Sequence, residues 1–223
     1  MIEKLFPEGV TVVTATEAMQ HAPLHPLEAA RTGKMRDKRL REFTLGRACV
    51  REGLARLGVT DFPFLNGEDR APLWPAGIVG SLTHCRELCA AAMARRGSIL
   101  GLGLDAESLR ELEPAVVERI TSPAERAHLA TLPPCSHAGG WGLLVFSAKE
   151  AFYKCYYPLA RTFLGFRDAE IEIDPAQRRF RVRLLRADAP SAEGARQLRG
   201  CFSVGQRCLA SAVTLRAGEA PEA

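Results

Sequence analysis

Two short segments of this 223-residue chain hold most of its candidate chemistry. In residues 100–107, Leu100, Leu102 and Leu104 alternate with Gly101, Gly103, Asp105 and Glu107. Alternate residues of an extended strand share a face, so the leucines turn inward while two carboxylates line up beyond two glycines on the other side. In residues 146–154, Glu150 and Lys154 stand four apart, which on a helix puts them on one side. Three carboxylates and an ammonium that can converge are the groups a magnesium–diphosphate site needs. Mg²⁺ takes hard oxygen ligands, usually a few carboxylates together with substrate phosphates and waters. Gly101 and Gly103, with no side chains, are expected to leave space for the diphosphate.

Each segment also has a plain structural reading. A Glu followed by Lys at i+4 is common on helix surfaces, and Ser147-x-x-Glu150 imitates a capping box. Against this, the apolar stripe runs two turns upstream of Ser147, which puts Glu150 in mid-helix. Asp and Glu are ordinary where a strand enters a loop, but two carboxylates on one face repel unless a cation lies between them.

The elements that must position these groups are legible in outline. Residues 10–14 (Val-Thr-Val-Val-Thr) are strand-like. Over 36–57, Leu40, Phe43, Arg47, Val50, Leu54 and Leu57 recur at helical steps and Gly58 is a terminator, so a helix is expected. Residues 65–77 carry Asn-Gly, two prolines and a glycine and form a structured loop or hairpin. A short strand enters Gly80-Ser81-Leu82-Thr83-His84. Strand is preferred over helix for 89–94, because Arg95-Arg96-Gly97-Ser98 then turns into the strand at 99–106. Ser122-Pro123-Ala124-Glu125 has the form of a capping box with proline at the first helical position. A longer helix starts at Trp141 and is expected to end at Pro158. Strand alternation marks 171–173, 180–184 and 209–215. The order permits two α+β halves, 1–100 and 101–216, followed by a disordered tail at 217–223.

Composition narrows the class. The chain is 47% hydrophobic and 25% charged, ordinary for a soluble globular protein, and no apolar run approaches a membrane span. Seven scattered cysteines form no paired framework, which favours thiols in a reducing cytoplasm. The net charge of +4 is unevenly placed: residues 31–56 hold nine Lys or Arg against three acidic residues. A local basic patch on a near-neutral body points to one anionic ligand or partner. Nothing interleaves aromatics with these basic residues as single-strand binders do, so no nucleic acid is expected.

Five motifs in order complete the picture: Gly46-Arg47-Ala48-Cys49; Arg70-Ala71-Pro72-Leu73-Trp74-Pro75-Ala76-Gly77; Gly80-Ser81-Leu82-Thr83-His84; Gly103 to Glu107; and Phe146 to Lys154. Together they resemble the Sfp-type phosphopantetheinyl transferases, with the likeness judged closest to the subgroup of enterobactin synthetase component D. The resemblance covers residues 36–157, the C-terminal third matching only in strand pattern. It implies a pseudo-twofold pair of α+β halves with the active site between them. It further implies a Mg²⁺-dependent transfer of 4′-phosphopantetheine from coenzyme A to a serine of an acidic acyl or peptidyl carrier protein, releasing 3′,5′-ADP. On this basis Asp105, Glu107 and Glu150 hold the metal, and Glu150 and Lys154 are catalytic. Arg47, Arg70, Ser81, Thr83, His84, Arg39 and Lys149 contact coenzyme A. A cytoplasmic monomer is expected. The other readings are a different Mg²⁺-dependent phosphoryl-transfer enzyme, which lacks support because no Walker loop is present, and a non-catalytic coenzyme A-binding or carrier-docking module.

Overall fold

The computed structural model describes residues 2–189 and 197–218. In chain order the elements are β1 (Thr11–Thr14), α1 (Pro26–Ala29), α2 (Asp37–Arg56), β2 (Ile78–His84), β3 (Cys89–Arg95) and β4 (Ile99–Ser108), followed by α3 (Pro114–Ile120), α4 (Pro123–Thr131) and α5 (Gly140–Ala160), and then by β5 (Ala169–Asp174), β6 (Arg179–Leu184), β7 (Gln197–Val204) and β8 (Cys208–Arg216). Short 3-10 turns occupy Ile2–Leu5, Glu17–His21 and Phe166–Asp168. Of the tail, Ala217 and Gly218 form a turn, and the expectation for 219–223 lies outside the described residues.

Two antiparallel sheets result, one ordered β1-β3-β2 and the other β4-β8-β7-β6-β5. Each is covered by one long helix. α2 sends Val50 and Leu54 of the stripe read from the sequence, together with Cys49, onto Val13, Ile78 and Met93. Leu144, Ala148 and Phe152 of α5 pack on Ile171, Phe180, Val182 and Val213. The fold is thus α+β, one plan used twice.

The join between the sheets is made by side chains. Ser81 Oγ of β2 accepts from the Leu104 N–H at 2.9 Å, and Thr83 Oγ1 accepts from the Ala106 N–H at 3.0 Å. These two amides flank Asp105, so the first half fixes the backbone of a residue in the second.

Three sequence expectations change. Pro158 lies inside α5, which continues to Ala160 and ends on Arg161 in the left-handed region at φ 51°. Only the last turn follows the proline, so one backbone bond is lost, and Leu159 packed on the core holds that turn. β7 went unread because it carries Gly200 and only one β-branched residue. That glycine is required: a methyl there would stand 2.7 Å from Cε1 of Phe180 and closer still to two other ring atoms. α3, with Pro114 at its first position, was also missed.

The capping box of α4 forms as read, Ser122 Oγ accepting from Glu125 N and Glu125 Oε2 from Ser122 N. The same helix closes the outer edge of β5. Glu125 Oε1 accepts from the Ile171 N–H at 2.8 Å, and His128 Nε2 accepts from the Ile173 N–H at 3.0 Å.

Candidate active site

β4 and α5 meet face to face, and the glycines of β4 explain how. A methyl on Gly103 would overlap the Ala151 carbonyl oxygen and stand 2.8 Å from its carbon; one on Gly101 would stand 3.1 Å from Cys155 Sγ. The space expected for a diphosphate is filled by the backbone of α5. This close approach brings Lys154 to Asp105, with Nζ donating to Oδ1 at 2.7 Å and to the Leu104 carbonyl at 3.1 Å.

Asp105 is 4% exposed, and its other carboxylate oxygen, Oδ2, is buried without a hydrogen-bond partner. Glu107 lies two residues further on the same face of β4, and Glu150 one turn before Lys154 on α5. Burial pushes the Glu107 carboxyl above the ordinary carboxylate range, and the Asp105 charge adds to it, partly offset by Arg110 and Lys154. Burial and then Asp105 raise Glu150 in the same way, with Lys154 opposing. Three carboxylates therefore crowd one ammonium, and one buried oxygen is bare.

Such a set fits a hard divalent cation. Among the described residues no three His, Cys, Asp or Glu side chains are placed to hold a metal by themselves. A hard cation held here would need waters or phosphate oxygens to complete its shell.

A second cluster lies at the end of β2. His84 approaches Glu42 of α2 at 3.4 Å, and Glu42 is paired with Arg39, also at 3.4 Å. Burial lowers the His84 pKa most; Glu42 raises it, and Arg39 and then Lys154 lower it again. The imidazole thus stands within electrostatic reach of both α2 and the Lys154 ammonium. Arg47, deeper on α2, is buried. Its guanidinium lies 3.6 Å over the Phe43 ring and donates to Asn66 Oδ1 at 2.9 Å, leaving Nε unpartnered. Burial brings its pKa down to about 10, so it stays charged at neutral pH. Asn66 Nδ2 in turn donates to the Arg70 carbonyl at 2.6 Å, and Arg70 itself is exposed with φ at 65°.

The structure brings together Asp105, Glu107, Glu150 and Lys154, with His84 at the end of β2 and Arg39 of α2 in electrostatic reach; Arg47 lies deeper on α2 and is linked through Asn66 to the Arg70 backbone. Ser81 and Thr83 stand beside Asp105 but bond its flanking backbone, and Lys149 turns away to Glu125. The Ser81 and Thr83 hydroxyls are buried on β4 amides. Lys149 spends its three donors on Glu125 Oε2, the Ile120 carbonyl and the Phe166 carbonyl, at 2.8, 2.7 and 2.6 Å. Burial lowers its pKa while the Glu125 bond opposes. In this structure the hydrogen bonds of these three side chains go to the protein framework.

Several neighbours escaped the sequence reading. Phe43 was assigned only to the apolar stripe, although a position four before an arginine on a helix is where a ring meets a guanidinium. Asn66 signalled only a turn. Asp69 Oδ2 accepts from Tyr157 Oη at 3.0 Å and from Arg161 Nη1 at 2.9 Å, strapping the 65–73 loop to the end of α5. No local pattern announces that bond, since its partners are some ninety residues apart.

Two family models match the chain. Residues 27–94 match the 4′-phosphopantetheinyl transferase N-terminal domain, and residues 101–210 match the 4′-phosphopantetheinyl transferase superfamily. The chain belongs to that superfamily. The match extends past residue 157 through the C-terminal strands, further than the sequence motifs reached. This transferase is 38% identical to 4′-phosphopantetheinyl transferase Svp of Streptomyces mobaraensis, over 97% of this chain and 90% of the relative. It is also 38% identical to 4′-phosphopantetheinyl transferase PptT of Mycobacterium tuberculosis, over 85% of each. Enterobactin synthase component D of Escherichia coli is 34% identical over 60% of this chain and 62% of its own length. The Svp and PptT relatives match more of the chain, and at higher identity, than enterobactin synthase component D does. Among the described residues, no helix is long and apolar enough to cross a membrane, and all seven cysteines are free thiols.

Proposed function

We propose that this transferase moves the 4′-phosphopantetheine moiety of coenzyme A to a serine hydroxyl of an acyl or peptidyl carrier protein and releases 3′,5′-ADP. One observation carries the reading: the Lys154–Asp105 pair at 2.7 Å, with a bare buried carboxylate oxygen beside two further carboxylates held high in pKa. Asp105, Glu107 and Glu150 would hold Mg²⁺, which when bound withdraws charge from the diphosphate and stabilises the leaving phosphate. Glu150, whose pKa burial and the Asp105 charge raise, takes the serine proton. The serine oxygen then bonds to the β-phosphorus, and the bond from that phosphorus to the bridging oxygen breaks. Lys154, paired with Asp105 at 2.7 Å, faces the charge that develops on the leaving 3′,5′-ADP. Arg47, Arg70, Arg39 and His84 offer the cationic and hydrogen-bonding groups for the nucleotide phosphates. A basic rim on α2 speeds docking of an acidic carrier.

The test is the mass of a purified carrier protein after incubation with the full chain, coenzyme A and Mg²⁺. A gain equal to phosphopantetheine, abolished by EDTA, is expected. No gain on any of several carriers, with coenzyme A still bound, would replace the enzyme reading with that of a binding module.

A further inference from the structure

The 65–73 loop between α2 and β2 holds one exposed cation in a fixed frame. Arg70 sits at φ 65°, in the left-handed region that costs a residue with a side chain, and such strain persists only where the surroundings over-determine it. Here they do. The Arg70 N–H donates to the Gly67 carbonyl at 3.0 Å, and the Arg70 carbonyl accepts from Asn66 Nδ2 at 2.6 Å. Around that residue the Gly67 N–H donates to the Ala71 carbonyl and the Leu73 N–H to the Leu65 carbonyl, both at 2.9 Å. Asp69 adds a further tie, its Oδ1 accepting from the Ala71 N–H at 3.0 Å. The guanidinium presented by this frame is exposed and makes no ion pair among the described residues.

The frame is then fixed to the other half of the molecule. The second oxygen of Asp69, Oδ2, accepts from Tyr157 Oη at 3.0 Å and from Arg161 Nη1 at 2.9 Å. Tyr157 follows Lys154 by three residues, which puts the two on one side of α5, and Arg161 caps the end of that helix. Tyr153 links the loop tip to the reaction centre. Burial first, then Tyr157, Glu150 and Asp69, push its hydroxyl up, so one phenol stands within electrostatic reach of both carboxylates. Stability is not what the clasp supplies. The Asp69 side chain is 32% exposed and that of Arg161 59%, and exposed ion pairs add little to it. What one carboxylate gains from three donors in two halves is position. We propose that Asp69 is a positioning residue for coenzyme A: by clasping the loop to the helix that carries Glu150 and Lys154, it fixes where the Arg70 guanidinium meets a phosphate of that ligand. The inference rests on the transfer reading for the identity of the ligand, and extends it to three residues, Asp69, Tyr157 and Arg161, that need not touch the reacting atoms.

The test is calorimetry of coenzyme A binding to the full chain, with melting temperature and the carrier-mass assay measured on the same samples. Asp69→Ala should raise the dissociation constant about tenfold, and KM with it, while kcat and the melting temperature stay near wild type. Asp69→Asn keeps an acceptor for Ala71 and Tyr157 but loses the charge facing Arg161, so it should raise the constant less. Asp188→Ala breaks a similarly exposed pair with Arg186 and should leave it unchanged. A double-variant cycle decides how Asp69 acts. Once Arg70→Ala has removed the guanidinium, adding Asp69→Ala should change the dissociation constant by less than about twofold. An equal effect of Asp69→Ala with and without Arg70→Ala overturns the proposal, and so does wild-type affinity in Asp69→Ala. A lowered melting temperature with KM unchanged would make the clasp a structural tie alone. Calorimetry reads binding without turnover, so a wild-type chain that binds coenzyme A and leaves every carrier unmodified would refute the transfer reaction and still leave Asp69 to be judged by its own cycle.

Discussion

Gly103→Ala tests how the reaction centre is held together. An added methyl overlaps the Ala151 carbonyl oxygen and approaches Cys155 Cβ at 3.0 Å. The oxygen belongs to the backbone of α5 and has no rotamer into which it can retreat, so the helix must lift from β4. Overpacking a core by one methyl costs about 1–3 kcal/mol, and a fixed backbone target puts this site at the upper end. At roughly 2–4 °C per kcal/mol for a chain of this size, the melting temperature should fall by about 6–12 °C. Gly101→Ala is the internal control. Its closest contacts are side-chain atoms at 3.1 Å, which can shift, so a loss of about 1 kcal/mol is expected. Lifting α5 also lengthens the Lys154–Asp105 contact, so turnover in the carrier-mass assay should fall more for Gly103→Ala than for Gly101→Ala. Thermal melts of the two full-length variants beside wild type give the measurement. Equal stability for both variants, or a Gly103→Ala melt within error of wild type, would refute the argument that these glycines exist to admit the helix.

Other outcomes follow from the same contacts. Lys149→Met leaves the Glu125 carboxylate buried without its ammonium and should cost about 3–5 kcal/mol in denaturant unfolding, part of it recovered by adding Glu125→Gln. The folded fraction should keep the wild-type KM for coenzyme A; a raised KM would return Lys149 to the ligand site. Glu107→Gln probes pH. Because the folded pKa lies above the ordinary 4.5, the protonated form is the one the fold favours, and the associated stability is present below 4.5 and lost as pH rises through the folded value. In EDTA the exchange should therefore raise the melting temperature at neutral pH, with a gain that fades towards pH 4.5; a gain independent of pH would contradict the assigned cause. Arg47→Ala should raise KM for coenzyme A by about 10–100-fold, the worth of a charge-assisted phosphate contact, and raise it less for dephospho-coenzyme A. An equal rise for both would assign Arg47 to packing on Phe43.

What the sequence disclosed was local. The stripe of α2, the Ser122–Glu125 cap, and the alternation of β4 and β6 each need only a few neighbouring residues, and each formed where the pattern placed it. Glycine at 101 and 103 was legible as a demand for closeness, but the sequence could not say that the approaching body was a helix rather than a ligand. Lys149 adjoins Glu150 in the motif, yet successive helix residues point about 100° apart, and Lys149 turns to Glu125 while Glu150 turns to the reaction centre. Ser81 and Thr83 look like ligand contacts in a motif because hydroxyls serve equally well on a phosphate or a strand amide. Only the placement of β4 beside β2 decides between them.

Glu125 gathers four duties in one carboxylate: it caps α4, neutralises Lys149, holds the Ile171 amide, and so finishes the rim of the larger sheet. An uncovered rim strand is a template on which another chain can add itself. The first three duties concern the stability of one molecule; the last concerns its behaviour among copies. Damage at this residue would therefore reach beyond a lowered melting point. It would expose a sticky strand, and the chain would be lost to self-association at concentrations where a variant equally destabilised elsewhere remains in solution.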